Sequence, residues 1–363
     1  TYMLEIDKLS EMNHWWKAGN VKTEFALPYK RKFFKEILKY LELRQIIGLV
    51  GLRRVGKTTL FYQIMDHLIK KKINTKNILY FSFDESKYDI KEILRVYEEQ
   101  IIKKKIDDER IFVFLDEIQK LDDWQNKIKL IYDLYPKIKF FISGSASINL
   151  LLPAKETLAG RIFYFEIDLL SFPEFLELKN KDILKIMQNQ NLWKREIKVE
   201  LNNYMLRPFP EIVNSEEEIA KKYLKESVIE KVILKDLSTL FEIREIEVIE
   251  KIIDVVSSEP GLIINLDDLS KDFGISRQVL SNYLYYLQCC FLIKQLKNFR
   301  GSLKAASRKL KKYYLLHPCF SIALSSPETG KLIENLVAFK TKAEYYWREK
   351  TKEVDFVLEN KPP

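Results

Sequence analysis

The chain has 363 residues, 47% of them hydrophobic, so two or three packed domains are expected, and its three cysteines lack the spacing of a disulfide framework or a zinc site. It contains no uncharged apolar run of about eighteen residues and no secretion signal at its start, which argues against membrane partners and favours the cytoplasm. Its net charge of +9 is compatible with a polyanionic partner.

The first informative stretch joins an apolar run, Ile46–Val50, to an amphipathic segment through a loop that contains Gly51 and Gly56. Strand, glycine loop and helix in this order form a phosphate-binding loop, because glycines let backbone N–H groups turn toward phosphate oxygens at a helix N-terminus. The pattern Gly-x4-Gly-Lys-Thr predicts that Lys57 contacts the phosphates of ATP and that Thr58 binds Mg²⁺. The predicted nucleotide-binding residues are Gly51, Arg53, Arg54, Val55, Gly56, Lys57, Thr58 and Thr59.

Apolar strands and amphipathic helices alternate as far as residue 167. Near-continuous apolar strands separated by helices predict a parallel sheet that is buried on both faces, with its ligand at the carboxyl ends of the strands. Residues 1–30 are predicted to be an arm of this α/β domain, which we place at residues 1–170. The five predicted strands are residues 46–50, 78–83, 111–115, 139–142 and 162–167.

The third predicted strand runs directly into Asp116 and Glu117. In P-loop enzymes an acid at this point orients Mg²⁺, and a neighbouring glutamate can polarise the water that attacks the γ-phosphate. The sequence therefore predicts Thr58 and Asp116 as the metal-binding pair and Glu117 as the catalytic base. A helix N-cap is the alternative role for Asp116.

Two further candidates lie beside the fourth and fifth strands. The fourth strand ends in a Ser-Gly-Ser run in which Ser145 could contact the γ-phosphate or the attacking water, or else cap the next helix. Arg161 directly precedes the fifth strand and is a candidate arginine finger, which would act on a neighbouring copy in a homo-oligomer. A surface salt bridge is the competing interpretation of Arg161.

The pattern changes twice beyond residue 170. Residues 171–240 are predicted to form a helical lid. In residues 241–300, helix, glycine turn, helix and strand follow one another, which is typical of a helix-turn-helix with a wing. The second helix of this motif carries polar side chains that can contact bases or phosphates, although many such domains bind only proteins.

The distribution of charge favours double-stranded DNA as the partner of this region. Residues 273–327 contain no Asp or Glu and nine Lys or Arg, so this segment alone carries a charge equal to that of the whole chain. Such a segment attracts the phosphate backbone. The candidate DNA contacts are Arg277, Gln278, Lys294, Lys297, Arg300 and Lys304.

With these residues in place, the chain resembles the archaeal and bacterial P-loop ATPases of the AAA+/STAND-like group that carry a winged helix and a C-terminal PD-(D/E)XK nuclease-like domain. The matching motifs are residues 51–59, 115–119, 143–145, 158–161, 170–175, 334–337, 346–348 and 353–356. The resemblance implies an α/β fold with a parallel five-stranded sheet, a helical lid, a winged helix and, at residues 301–363, a partial restriction-endonuclease-like domain.

The nuclease pattern departs from the family in this last domain. Glu334 on a predicted helix and Asp355 on a predicted strand can converge on a divalent metal. However, the Glu-x-Lys strand that should follow Asp355 is missing before Pro363, so we expect a truncated domain and doubt DNA cleavage.

Two functions are consistent with the sequence. The first is an ATPase that couples its nucleotide state to DNA binding through the winged-helix and nuclease-like half, with ATP and Mg²⁺ as cofactors. The alternative is a STAND-type nucleotide switch that acts on a protein partner or on transcription. A metal-dependent nuclease regulated by ATP is a third possibility, and it requires the missing strand.

Overall fold

The computed structural model describes residues 6–84, 88–144, 157–189, 191–238, 241, 243–299 and 310–358. Three of the predicted site residues, Ser145, Arg300 and Lys304, lie outside the described residues. The chain divides into two units, residues 1–168 and 169–363. Within the described ranges, no helix is long and apolar enough to cross a bilayer.

The first unit alternates helices and strands, as the sequence predicts. Its helices are α1 (Ile6–Met12), α2 (Trp15–Ala18), α3 (Lys32–Leu38), α4 (Lys57–Lys70), α5 (Ile90–Tyr97, continued as a π-helix over Glu98–Ile102) and α6 (Trp124–Leu134). Its strands are β1 (Ile46–Val50), β2 (Ile78–Ser82), β3 (Ile111–Asp116), β4 (Ile138–Gly144) and β5 (Ile162–Glu166).

The five strands form one parallel sheet in the order β2-β3-β4-β1-β5, which confirms the predicted parallel five-stranded sheet. Every residue of β1, β3 and β4 is buried, and this explains why their sequences are almost continuously apolar. Because β4 pairs with both β3 and β1, the carboxyl ends of these three strands lie side by side. The loop after β1 and the acid at the end of β3 therefore share one edge of the sheet.

A group of buried aromatic rings packs α4 against the sheet. Phe114 on β3 and Phe141 on β4 stack with their ring centroids 4.3 Å apart. Phe61 on α4 meets the Phe114 ring edge-on at 5.3 Å. Aromatic pairs of this kind contribute about 0.5–1.5 kcal/mol beyond the area that they bury. This packing fixes the helix that follows the glycine loop above β4 and above β3, the strand that ends in Asp116.

The N-terminal arm covers β2, which lies at one end of the described sheet. The Asn13 side chain donates to the Tyr80 carbonyl (2.8 Å) and accepts from the Tyr80 N–H (2.6 Å), as a neighbouring strand would. The indole nitrogens of Trp15 and Trp16 both donate to the Ile78 carbonyl (3.0 and 2.8 Å). The two tryptophans thus share one backbone carbonyl of an edge strand and pack on the protein core.

The second unit is helical at its start and mixed thereafter. Its helices are α7 (Phe172–Leu178), α8 (Ile183–Gln188), α9 (Lys194–Leu206), α10 (Glu217–Lys222, followed by π-helices over Tyr223–Ile229 and Val232–Leu237), α11 (Ile246–Ser258), α12 (Leu266–Asp272), α13 (Arg277–Cys289), α14 (Pro318–Leu324) and α15 (Thr329–Thr341). Its strands are β6 (Leu262–Ile264), β7 (Ile293–Asn298), β8 (Lys311–Leu315), β9 (Tyr345–Glu349) and β10 (Lys352–Val357).

The strands of the second unit form one sheet in the order β10-β9-β7-β8-β6. β8 pairs antiparallel with both β6 and β7, β9 runs parallel to β7, and β9 and β10 form a hairpin. The sequence analysis did not predict β6 or β8. Because β7 and β8 pair with each other, the residues on either side of the domain boundary that we placed at residue 300 share one sheet.

Candidate nucleotide-binding site

The path of the loop after β1 depends on its two glycines. A Cβ atom at Gly51 would lie 2.4 Å from the carbonyl oxygen of Ile167, which is too close for any side chain. Gly56 has φ +94°, a conformation that glycine adopts without steric cost. The loop therefore passes close to the backbone that follows β5 and then turns into α4 at Lys57.

Lys57 is nearly buried in the curve of this loop, and its Nζ atom donates to the carbonyls of Gly51 and Leu52, both at 3.0 Å. It is the first residue of a 14-residue helix, whose terminal N–H groups attract anions. A phosphate would offer charged acceptors to both the ammonium and these N–H groups, and hydrogen bonds to charged acceptors are stronger than those to carbonyls. The loop is thus suited to hold the phosphates of a nucleotide.

Asp116, at the end of β3, is only 2% exposed and accepts hydrogen bonds from four residues. The Thr58 hydroxyl donates to Oδ2 at 2.6 Å, and the Tyr80 hydroxyl donates to the same oxygen at 3.1 Å. The Ser143 hydroxyl and the Glu117 N–H donate to Oδ1, the latter at 3.1 Å. Four donors satisfy a carboxylate that has almost no contact with solvent.

This arrangement brings together Thr58 and Asp116, the two residues predicted to hold Mg²⁺. An oxygen from a hydroxyl and an oxygen from a carboxylate are ligands that suit this ion in phosphate-binding sites. Burial and then the negative charge of Asp116 raise the pKa of Tyr80 well above its usual value, so the Tyr80 hydroxyl keeps its proton and remains a donor. The chemistry of the site therefore fits a Mg²⁺–nucleotide complex.

Sequence reasoning missed two of the four donors. Tyr80 lies within the apolar run of β2, where an aromatic residue gives no signal of a site. Ser143 belongs to the Ser-Gly-Ser run at the end of β4, but we selected Ser145 from that run. Ser143 is fully buried and contacts Asp116 because β3 and β4 are adjacent.

Glu117 follows Asp116 in a left-handed backbone conformation, with φ +54°. Such a conformation costs a residue with a side chain about 1–2 kcal/mol. Its carboxylate oxygen Oε2 accepts a hydrogen bond of 2.6 Å from the side-chain amide of Gln119. The predicted base thus stands at the carboxyl edge of the sheet, one residue beyond the acid that contacts Thr58.

The arm is attached to the glycine loop by side chains that the sequence analysis did not select. Arg31 donates to the carbonyls of Val55 in the loop (3.0 Å) and Asp168 (2.8 Å). Gln63 on α4 donates to the carbonyls of Leu27 (2.6 Å) and Tyr29 (2.8 Å). Residues 27–31 consequently lie against the loop and its helix. The remaining predicted loop residues include Arg53, which is half-buried, and Arg54, which is exposed at φ +63°.

Arg161 forms a bidentate ion pair with Asp133 on α6, with Nε–Oδ1 and Nη2–Oδ2 distances of 3.0 and 3.2 Å. The hydrogen bond from Arg161 lowers the pKa of the Asp133 carboxyl. Both side chains are partly exposed, and solvent-exposed ion pairs of this kind add little to stability. The geometry matches the salt-bridge interpretation within one chain, and a role of Arg161 on a neighbouring copy stays a prediction.

The predicted DNA contacts in the second unit differ in their surroundings. Arg277 and Gln278 are exposed at the start of α13, where Arg277 lies 3.3 Å from Asp267. Lys297 is exposed on β7. Lys294 is half-buried and donates to the carbonyl of Ala338 at 2.6 Å, so it contributes to packing against α15.

Lys312, the last lysine of the acid-free segment, is buried among three carboxylates. Its Nζ atom lies 2.7 Å from Glu334, 2.9 Å from Glu353 and 2.7 Å from Asp355. Glu334 and Asp355 therefore do converge, as the sequence predicts, but they meet around an ammonium group. Among the residues that the structure describes, no group of three or more His, Cys, Asp or Glu side chains is placed to hold a metal ion.

Comparison with known proteins finds two family models in the chain. Residues 43–176 match AAA_14, an AAA domain, and residues 199–329 match a domain of unknown function, DUF8612. The first match spans the glycine loop, Asp116, Glu117 and all five strands of the parallel sheet. These findings support an AAA-type P-loop ATPase domain in the first unit.

The similar proteins of known sequence are uncharacterised. One, from Methanocaldococcus jannaschii, is 28% identical over 334 residues, which cover 86% of this chain and 72% of that relative. Another, from Haemophilus influenzae, is 24% identical over 347 residues, which cover 92% of this chain and 84% of that relative.

Among solved structures, a Walker-type ATPase of Pyrococcus abyssi is similar with a TM-score of 0.48 and 14% identity, covering 84% of this chain and 97% of that chain. A mutant of RuvB from Thermotoga maritima has a TM-score of 0.36 and 17% identity, covering 77% of this chain and 94% of that chain.

Proposed function

We propose that the first unit binds ATP with Mg²⁺ and hydrolyses it. The observation that carries this proposal is the contact between Thr58 and Asp116, which joins the start of α4 to the end of β3 directly beside Lys57 and Glu117. Thr58 and Asp116 would hold the metal ion, which, when bound, neutralises charge on the phosphates. The match of residues 43–176 to an AAA domain supports the same activity.

Each residue of the site has a defined task in this reaction. Lys57 exchanges the carbonyls of Gly51 and Leu52 for phosphate oxygens. Glu117 accepts a proton from a water molecule as the water oxygen bonds to the γ-phosphorus. The bond between that phosphorus and the bridging oxygen then breaks, and ADP and inorganic phosphate leave.

The two central roles are separable by mutation. Lys57→Ala removes the charge that meets the phosphates and is expected to abolish binding of a fluorescent ATP analogue. Glu117→Gln keeps the shape of the side chain but removes the base, so we expect normal binding with turnover reduced about 10²–10⁴-fold. Lys70→Ala, at the exposed far end of α4, is the matched control and should leave both quantities unchanged. Turnover of Glu117→Gln at the parent rate would show that the base is wrongly assigned.

We further propose that the second unit contacts double-stranded DNA through a winged helix. The element order α11-β6-α12-α13-β7-β8, with β8 paired between β6 and β7, is typical of that motif. A cleft of about 820 Å³ lies beside the start of α13 and is lined by Arg277, Gln278, Ser281 and Lys311 among others. Among the predicted contacts that the structure describes, Arg277, Gln278 and Lys297 are exposed, and we place them at the core of this surface.

The salt dependence of binding tests the DNA proposal. Affinity for a labelled duplex, measured by fluorescence anisotropy, should fall steeply as the salt concentration rises. Each contact with a phosphate releases counterions from the DNA, and added salt opposes that release. Arg277→Ala should weaken binding and reduce the slope of log affinity against log salt by about one. Lys222→Ala, an exposed lysine on α10, is the control. Binding that is insensitive both to salt and to Arg277→Ala would favour the alternative, a nucleotide switch acting on a protein partner.

A further inference from the structure

Gln119 lies two residues beyond the proposed base and has no role in the reaction described above. It lies in the short 3₁₀ turn Ile118–Lys120 that follows β3 and Glu117. Its amide nitrogen donates to Glu117 Oε2 at 2.6 Å. Its amide oxygen is buried and has no hydrogen-bond partner among the residues that the structure describes.

The turn holds these two side chains in a defined position. Ile118, between them, is fully buried in the core that fills the parallel sheet and anchors the turn. Glu117 adopts its left-handed conformation at the start of the turn, so the chain reverses there instead of continuing the strand. A strained backbone and an anchored core residue together keep the Glu117 carboxylate and the Gln119 amide in contact.

The contact between these two side chains is suited to position a base. The Gln119 amide donates to a charged acceptor, and such hydrogen bonds are shorter and stronger than those between neutral groups. An amide exchanges no proton with a carboxylate in water, so this contact restrains the direction of the Glu117 side chain without neutralising it.

We infer that Gln119 positions the Glu117 carboxylate for the attacking water. This inference rests on the proposed ATP hydrolysis. As the water oxygen bonds to the γ-phosphorus, one proton passes to Glu117. The second proton remains on the oxygen and becomes part of the product phosphate. Gln119 therefore positions the base and exchanges no proton or electron with the water.

Gln119→Leu tests the inference, because leucine has a similar size and neither donates nor accepts. We expect the affinity for a fluorescent ATP analogue and the KM for ATP to stay unchanged while kcat falls about 10–100-fold. Loss of the amide donor should also disfavour the ionised Glu117, so the acid limb of the kcat–pH profile should move to higher pH. A purely structural role of Gln119 would not produce that movement.

Asn126→Leu is the matched control, since Asn126 on α6 also donates its amide to a carboxylate, Asp123, at 2.7 Å on the exposed surface. It should retain the parent kcat and pH profile. If Gln119→Leu lowers the melting temperature strongly, Gln119→Asn replaces it. The shorter amide cannot span to Glu117 and should show the same changes in kcat and pH profile.

The outcomes separate this inference from the proposed function. A parent protein that neither binds nor hydrolyses ATP would remove the proposed function itself. An active parent, an inactive Glu117→Gln variant, and Gln119 variants with the parent kcat and pH profile would overturn the role of Gln119 alone. A lower kcat with unchanged binding and a displaced acid limb would support it.

Discussion

Asp116 and Lys312 are two nearly buried charged residues that the protein satisfies in different ways. Asp116 accepts hydrogen bonds from three hydroxyls and one backbone N–H, so no cation of the protein neutralises it in these contacts. Lys312 instead has three carboxylate partners. The neutral donors around Asp116 leave its negative charge to be balanced by a cation that binds with the nucleotide. The carboxylates around Lys312 are already balanced by the ammonium group of the protein.

Lys312→Met should therefore destabilise the second unit. The substitution keeps an apolar side chain of similar length but leaves Glu334, Glu353 and Asp355 to repel one another. Removing one partner of a buried ion pair costs about 3–5 kcal/mol, and we expect about 3 kcal/mol here because Asp355 is half exposed. Urea denaturation measures the change in the free energy of unfolding.

The neighbouring residue supplies the control for this prediction. Lys311→Met removes a lysine whose pKa burial already lowers, so its loss should cost much less than the loss of Lys312. Adding Glu334→Gln to Lys312→Met should recover part of the stability, because one repelling charge is removed. Equal effects of the two lysine substitutions would contradict a special role for the carboxylate cluster.

At the scale of elements, the sequence was sufficient wherever local pattern determines structure. The strands β1, β3 and β4 are almost continuously apolar because both of their faces are buried, and the glycine loop has the spacing of a phosphate-binding loop between a strand and a helix. β8 was not predicted because it begins with Lys311 and Lys312, which are typical of a loop. Lys312 is buried in a strand only because carboxylates from α15 and β10 surround it, and that contact is distant in sequence.

The residues of the candidate site also divide into those that a local pattern predicts and those that depend on contacts distant in sequence. Lys57, Thr58, Asp116 and Glu117 belong to motifs with a fixed spacing, and the structure places them at one edge of the sheet. Tyr80 contacts Asp116 because β2 pairs with β3, and Ser143 contacts Asp116 because β4 also pairs with β3. Neither pairing follows from a local pattern. Contacts made across strands depend on the strand order, which the sequence analysis did not predict.

Over the whole molecule, the two units should respond to different conditions. A nucleotide that binds the first unit stabilises it by about 2.7 kcal/mol at a hundred times its dissociation constant. The second unit contains a single histidine, His317, which is fully buried, and burial lowers its pKa to about 3. Acid should consequently destabilise the second unit.

The buried histidine caps α14 and is surrounded by aromatic rings. Its Nδ1 atom accepts a hydrogen bond from the N–H of Cys319 at 3.2 Å. The rings of Tyr204 and Phe339 lie edge-on to it at 5.3 and 4.9 Å. Protonation would remove the acceptor and place a charge in this apolar site, so the folded unit binds the proton weakly.

The sign of the pH dependence follows from the pKa of His317 in the folded and in the unfolded unit. Between the unfolded pKa of 6.5 and the folded pKa of about 3, the unfolded chain binds a proton that the folded unit does not. The stability that His317 provides is thus complete above pH 6.5 and is lost as the pH falls, by about 2 kcal/mol at pH 5. His317→Asn retains a cap acceptor but does not titrate, so calorimetry should show a smaller shift of the second unit's transition between pH 7 and pH 5. His67→Asn, on α4 of the first unit, is the control and should leave the second unit's transition as in the parent. If His317→Asn showed the same shift between pH 7 and pH 5 as the parent, His317 would not be the group responsible for the acid effect.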